Sequence, residues 1–248
     1  MDGLNEYAID IGAFLISAAS VCLYYAYLGY KARHDPTYSV HGVNALARRL
    51  WVEHIMHNPA KDVMAVQTLR NFIMGASLMA STAALLIIGT LTLSGQAQNI
   101  ALSWHALSLS GANGAALWIL KVMLLLVDFI VAFFAFAMSV RLANHVVFMV
   151  NVPEHDAHHL LAPRAVARRL HRAGRMFSIG MRAFFIAIPL VFWLFGPYFL
   201  LAASVGLVIA LYQLDRTEPE EKIAVIDKRP GHAASGSPVV PMHPKYAK

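Results

Sequence analysis

Apart from Lys121 and Arg182, all 20 lysines and arginines of this 248-residue chain fall in three segments, 31–70, 141–175 and 215–248. Long apolar runs separate those segments. If each run crosses a bilayer, the stretches left facing the opposite way are residues 1–8 and 94–114, and neither contains a basic side chain. Basic residues sorted to one side of successive apolar runs form the positive-inside pattern, in which Lys and Arg mark the cytoplasmic face. The expected fold is therefore an all-α polytopic transmembrane helical bundle, N-terminus out and C-terminus in. Composition agrees: 58% of residues are hydrophobic and 14% charged, against about 25% charged in a soluble domain. The net charge of +6 is then topogenic, and anionic lipid headgroups are its natural counterpart. Nucleic acid is not an expected partner, because no basic segment is interleaved with the aromatics that stack single-stranded bases.

Five spans are predicted, at about 9–30, 71–93, 116–140, 177–195 and 197–213, each long enough for a ~30 Å hydrocarbon core or close to it. The first ends in Tyr24, Tyr25, Tyr27 and Tyr30, an aromatic belt at the interface. Residues 177–213 are almost wholly apolar, and as one helix they would be ~55 Å long, nearly twice the core thickness. Phe195-Gly196-Pro197 at the centre is a turn signal, and a hairpin there returns the basic tail to the side of the other basic segments. Residues 1–214 then make the transmembrane domain, and 215–248, rich in Pro, Gly and Ser toward its end, is expected to be a disordered cytoplasmic tail. Within 31–70 an amphipathic helix over about 43–57, with Val43, Leu46, Ala47, Leu50 and Trp51 on one side, would lie in the headgroup plane. Asn58-Pro59 reads as a helix start leading into the second span. The acidic N-terminal residues and the lack of a small-residue cleavage site argue against a cleaved leader. With Cys22 the only cysteine, no intrachain disulfide is expected.

An ionisable residue inside a span is a candidate functional residue, because hydrocarbon does not solvate charge. Asp128 lies near the middle of the third span. Lys121 lies two turns before it on the same face and is expected to snorkel to the outer interface. Arg182 lies just over one turn into the fourth span, within ~6 Å of the depth of Asp128 at 1.5 Å per residue. An Asp128–Arg182 latch between antiparallel helices is the plain expectation, and a proton or anion path through Asp128 is the functional one. In the second span Ala76, Ala80 and Ala84 form a small-residue ridge suited to close helix packing.

Eleven of the 12 histidines fall in the basic segments. His54 and His57 share a helix face, and His155, His158 and His159 form an HxxHH pattern; imidazoles at such spacing can converge on one metal ion. HxxHH is similar to one box of the membrane di-iron desaturases and hydroxylases. The further boxes of that family are missing, so a solvated or headgroup-facing His-rich loop is the plainer reading.

Several longer segments together carry a second resemblance: Ala65-Val-Gln-Thr-Leu-Arg-Asn71, Arg141-Leu-Ala-Asn-His145, Asn151-Val-Pro153, Gly180-Met-Arg182, and Trp193-Leu-Phe-Gly-Pro197. This set resembles an uncharacterised family of polytopic membrane proteins found in proteobacteria and plants, domain of unknown function five-nine-nine, over about residues 10–215. The resemblance implies membrane residence and draws attention to Gln67, Arg70, Asn71, Lys121, Arg141, Asn144, His145 and Arg182. A bacterial inner-membrane location follows from the same reading.

Three functions fit these residues, two of them non-catalytic and one enzymatic. The first is a non-catalytic membrane protein that holds an anionic headgroup, small ligand or partner subunit in a polar cytoplasmic-side pocket of Gln67, Arg70, Asn71, Arg141, Asn144, His145 and Arg182, whose donors suit phosphate or carboxylate. The second is a metalloenzyme using His54, His57, His155, His158 and His159. The third is a small proton-coupled transporter centred on Asp128 and Lys121. Membrane lipids are the expected partners, with a homo-oligomer or larger complex as the assembly; no cofactor is named by the residues.

Overall fold

The computed structural model describes residues 2–34, 38–95, 115–152 and 158–215. Five helices in it are long and apolar enough to cross a membrane. These are α1 (Asp2–His34), α3 (Asp62–Gly95), α4 (Ala115–Val150), α5 (Pro163–Trp193) and α6 (Pro197–Asp215), and a shorter α2 (Val40–Met56) lies between the first two. No strand occurs among the described residues. The all-α bundle of five spans is thus the observed architecture. The loop expected at 94–114 and the tail lie mostly or wholly outside the described residues.

Several helices run further than the hydrocarbon requires. α4 continues past Arg141 to Val150, 36 residues in all, because nothing breaks helix before Pro153. α5 begins at Pro163, where the missing N–H is one the first turn leaves unbonded anyway, and it carries Pro189 in its interior. The chain then turns at Gly196, whose φ of 146° is open only to a residue without Cβ, and Pro197 starts α6. The expected hairpin is there.

α2 begins at Val40, earlier than the 43 expected, with the Ser39 side chain accepting from the Gly42 amide at 3.3 Å; this is an ordinary N-cap. Leu46 and Leu50 are exposed on it, and Val52, Ile55 and Met56 supply its buried face. Those three join Leu69 of α3, Val146 of α4 and Leu170 of α5 in one cluster. Asn58-Pro59 starts a 3₁₀ turn, Pro59–Lys61, before α3 proper. The end of the bundle with α2 and the arginines is the basic end below, and the Gly196 end is the turn end.

α3, α4 and α5 pack side by side, α2 covers the basic end of α5, and α6 returns along α5. Ala83, Ala132, Phe136 and Ala183 are buried where the three long helices meet. α1 leans on α6, through Tyr24, Leu28, Leu207 and Leu211 and a Ser17–Ser204 hydrogen bond. Its backbone comes close to α4 and α5 at few places. A crevice therefore runs between α1 and α4, and both intramembrane charge sites lie along it.

Candidate functional site

At the turn end, Asp10 of α1 is fully buried and Lys121 of α4 is 6% exposed. Asp10 Oδ1 accepts from Lys121 Nζ at 3.0 Å and from Trp193 Nε1 at 2.9 Å. Lys121 Nζ also donates to the Trp193 carbonyl at 3.2 Å and lies 5.1 Å from the Trp193 ring centroid. Phe14 stacks on the Trp193 ring at 4.8 Å between centroids. Every charge in this group has a partner within 3.2 Å and three helices are tied by it. Lys121 therefore does not snorkel outward. Sequence reasoning counted Asp10 only among the acidic residues near the N-terminus, and no spacing rule links residues 10, 121 and 193.

Further along the crevice the arrangement is different. A cavity of about 420 Å³ opens between α1, α4, α5 and the start of α2, with Tyr25, Ser39, His41, Asp128, Arg182 and Asp215 as its polar wall. Counting 1.5 Å per residue from the Lys121–Trp193 contact, Asp128 lies about 10 Å and Arg182 about 16 Å toward the basic end. The expected Asp128–Arg182 latch does not form. Arg182 instead stands over the Tyr25 ring, 4.9 Å from its centroid, and no carboxylate among the described residues comes within 4.0 Å of it. Asp128 Oδ2 is buried with no hydrogen-bond partner, as is the Tyr25 hydroxyl. Among the described residues Asp215 is engaged at one oxygen, where Tyr24 donates to Oδ2 at 2.9 Å. Burial, and then the Arg182 charge, push the His41 imidazole below its ordinary value; both disfavour a second cation here.

Of the seven residues predicted to make a ligand pocket, only Arg182 lines this cavity. Gln67, Arg70 and Asn71 are exposed on α3, and Arg141, Asn144 and His145 are exposed on α4. Gln67 Nε2 donates to Asn71 Oδ1 at 3.4 Å. These six sit near the level of the Leu69–Val146 cluster, and none of them lines the cavity. Tyr25, His41 and Asp215 went unnoticed, because an aromatic belt, a surplus of histidines and a charged tail each explain them locally. Only Asp128 and Arg182 announced themselves, as charges inside apolar runs.

Among the histidines, His54 Nε2 lies 2.5 Å from Lys61 Nζ and His57 Nδ1 lies 2.6 Å from the Glu53 carbonyl. The His158 and His159 rings stack at 4.7 Å. His155 lies outside the described residues. Among the described residues no three His, Cys, Asp or Glu side chains converge as metal ligands would.

A family model described as "Protein of unknown function, DUF599" matches residues 13–220. No curated protein and no solved structure matches the chain.

Proposed function

The chain belongs to the DUF599 family, and on that premise we propose that it is a non-catalytic protein of the bacterial inner membrane that binds an anionic headgroup or small ligand through Arg182. Its N-terminus is outside and its basic end, with the mouth of the cavity, faces the cytoplasm; the sorting of Lys and Arg supports this orientation. The observation that carries the reading is Arg182. A guanidinium well inside an apolar helix normally finds a carboxylate, and this one has an aromatic ring beside it and a cavity in front of it. Its planar fork suits phosphate or carboxylate oxygens. Gln67, Arg70, Asn71, Arg141, Asn144 and His145 form a second, shallower tier that contacts the headgroups of the surrounding leaflet.

The test is the lipid and small-molecule content of protein purified in mild detergent. Arg182→Gln should reduce the co-purifying anionic species roughly 10- to 100-fold, the equivalent of one lost charge-assisted hydrogen-bond set of about 1.5–3 kcal/mol. Arg70→Gln should change it little, since surface contacts are screened. Undiminished co-purification in Arg182→Gln would refute the reading. One observation favours a second reading, a proton-coupled carrier: the unpartnered carboxylate oxygen of Asp128. Reconstituted flux that Asp128→Asn leaves unchanged would dispose of that alternative.

A further inference from the structure

The crevice holds two kinds of space in one line. The polar cavity occupies the basic half. Beyond it, toward the turn end, lies an apolar cavity of about 340 Å³ lined by Phe14, Val21, Cys22, Leu124, Val127 and Leu200. Asp128, Val131 and Ile186 line both, so the two spaces meet at Asp128. Read from the basic end, the wall presents an acid (Asp215), a base (Arg182), an acid (Asp128) and then a lining that is apolar but for Ser17 and Cys22.

We propose that this crevice binds a monoacyl glycerophospholipid with a primary amine in its head. The ammonium sits at Asp215, the phosphate at Arg182, the glycerol hydroxyl donates to Asp128, and the acyl chain fills the apolar cavity. The inference rests on the headgroup reading above and adds which lipid is held. Order along the crevice is its main support, because amine, phosphate, hydroxyl and chain follow one another in such a lipid as their complements do on the wall. Arg182 is free to fork onto phosphate. Asp215 keeps one oxygen clear of Tyr24 for an ammonium. Asp128 Oδ2, buried and unpartnered, needs a donor. A second acyl ester at that point would offer a carbonyl, an acceptor facing an acceptor, whereas a free hydroxyl supplies the missing proton. The ~6 Å offset between Asp128 and Arg182, from the helical rise, is a distance that a glycerol phosphate spans. The apolar space that adjoins Asp128, at about 340 Å³, has room for one chain, and its size lies within the roughly 300–1,000 Å³ of ligand pockets. Val127 is 55% exposed and Cys22 is exposed, so the flank of the crevice opens sideways, letting the chain enter from the bilayer.

Native mass spectrometry of the full chain in a phosphate-free detergent tests this directly. The protein is offered equal concentrations of lysophosphatidylethanolamine and lysophosphatidylglycerol of one chain length. Wild type should retain the amine lipid in about tenfold preference; Asp215→Asn should bring the ratio close to one, and Arg182→Gln should lose both lipids. Diacyl phosphatidylethanolamine should bind about tenfold worse than its monoacyl form to wild type, and about equally in Asp128→Leu. Alkylation of Cys22, the single cysteine, should slow severalfold when the monoacyl lipid is bound. Equal retention of the two monoacyl lipids by wild type, with both lost in Arg182→Gln, overturns the amine assignment and keeps the headgroup site. Retention of neither lipid, or retention untouched by Arg182→Gln, overturns the headgroup reading along with it. An unslowed Cys22 at saturating lipid removes the chain from the apolar cavity.

Discussion

At the turn end Asp10 and Lys121 meet at 3.0 Å with Trp193 completing their hydrogen bonds, while some 10 Å or more further in, Asp128 and Arg182 share a cavity without pairing. Both places put an acid and a base in apolar surroundings. In the first, desolvation is answered by direct contact and the group is closed. In the second, it is left partly unanswered, with space beside it for something else. The lesson is that an intramembrane charge points to function when its partner is missing, and to architecture when the partner is present.

Substitutions at the two charge sites should tell them apart. The largest effect should come from Lys121→Met or Asp10→Leu. Each strands its buried partner, and the loss should be about 3–5 kcal/mol, read as a fall in the midpoint of thermal or denaturant unfolding in detergent. The double variant should recover much of that loss, since a buried pair replaced by apolar side chains is often neutral. A double variant as unstable as the worse single one would mean the pair contributes more than packing. Trp193→Phe keeps the ring against Phe14 and removes one donor to a charged oxygen, so about 1.5–3 kcal/mol should go. Gly180→Ala tests the neighbouring packing, because a Cβ there would meet the Phe136 ring at 2.7 Å. Overpacking of this kind costs about 1–3 kcal/mol.

The crevice should behave in the reverse way. His41 has its basicity lowered by burial and by Arg182, with Arg48 and His171 acting in the same direction and Asp215 against them. Its contribution to stability is therefore intact above the ordinary value of 6.5 and is lost as the pH falls through the lower folded-state value. His41→Gln should remove that acid-side loss from the pH profile of the unfolding midpoint, an effect smaller than any above. Asp128→Leu should have the least effect on stability, leaving the midpoint unchanged or raised, because it replaces an unsatisfied acceptor with hydrocarbon. A marked drop in that variant would show that Asp128 holds the bundle together as Asp10 does.

Much of the fold was legible because topology depends on one-dimensional quantities. The sorting of Lys and Arg, the length of each apolar run, and the Gly196-Pro197 break sufficed for five spans and a final hairpin. Helix ends were less legible: α4 and α5 extend beyond the hydrocarbon because helix continues until a proline or glycine stops it, and hydropathy does not register that. The site was half legible. Asp128 and Arg182 stood out by composition. Their relation did not, because depth along two helices fixes one coordinate and rotation about the helix axes fixes the contact. Arg182 rotates toward Tyr25 of α1, a helix 157 positions away in sequence by its numbering. Gln67, Arg70, Asn71, Arg141, Asn144 and His145 share a level with one another, yet they face outward for the same reason.

The most direct test of the distinction between the two charge sites is a density map of the full chain, purified in nanodiscs of its native lipid with an antibody fragment bound as a fiducial. Density is expected beside Arg182, continuing past Asp128 toward Leu124, with none between Asp10 and Lys121. An empty crevice, with ligand density instead between Arg70 and Arg141 on the outer faces of α3 and α4, would contradict it.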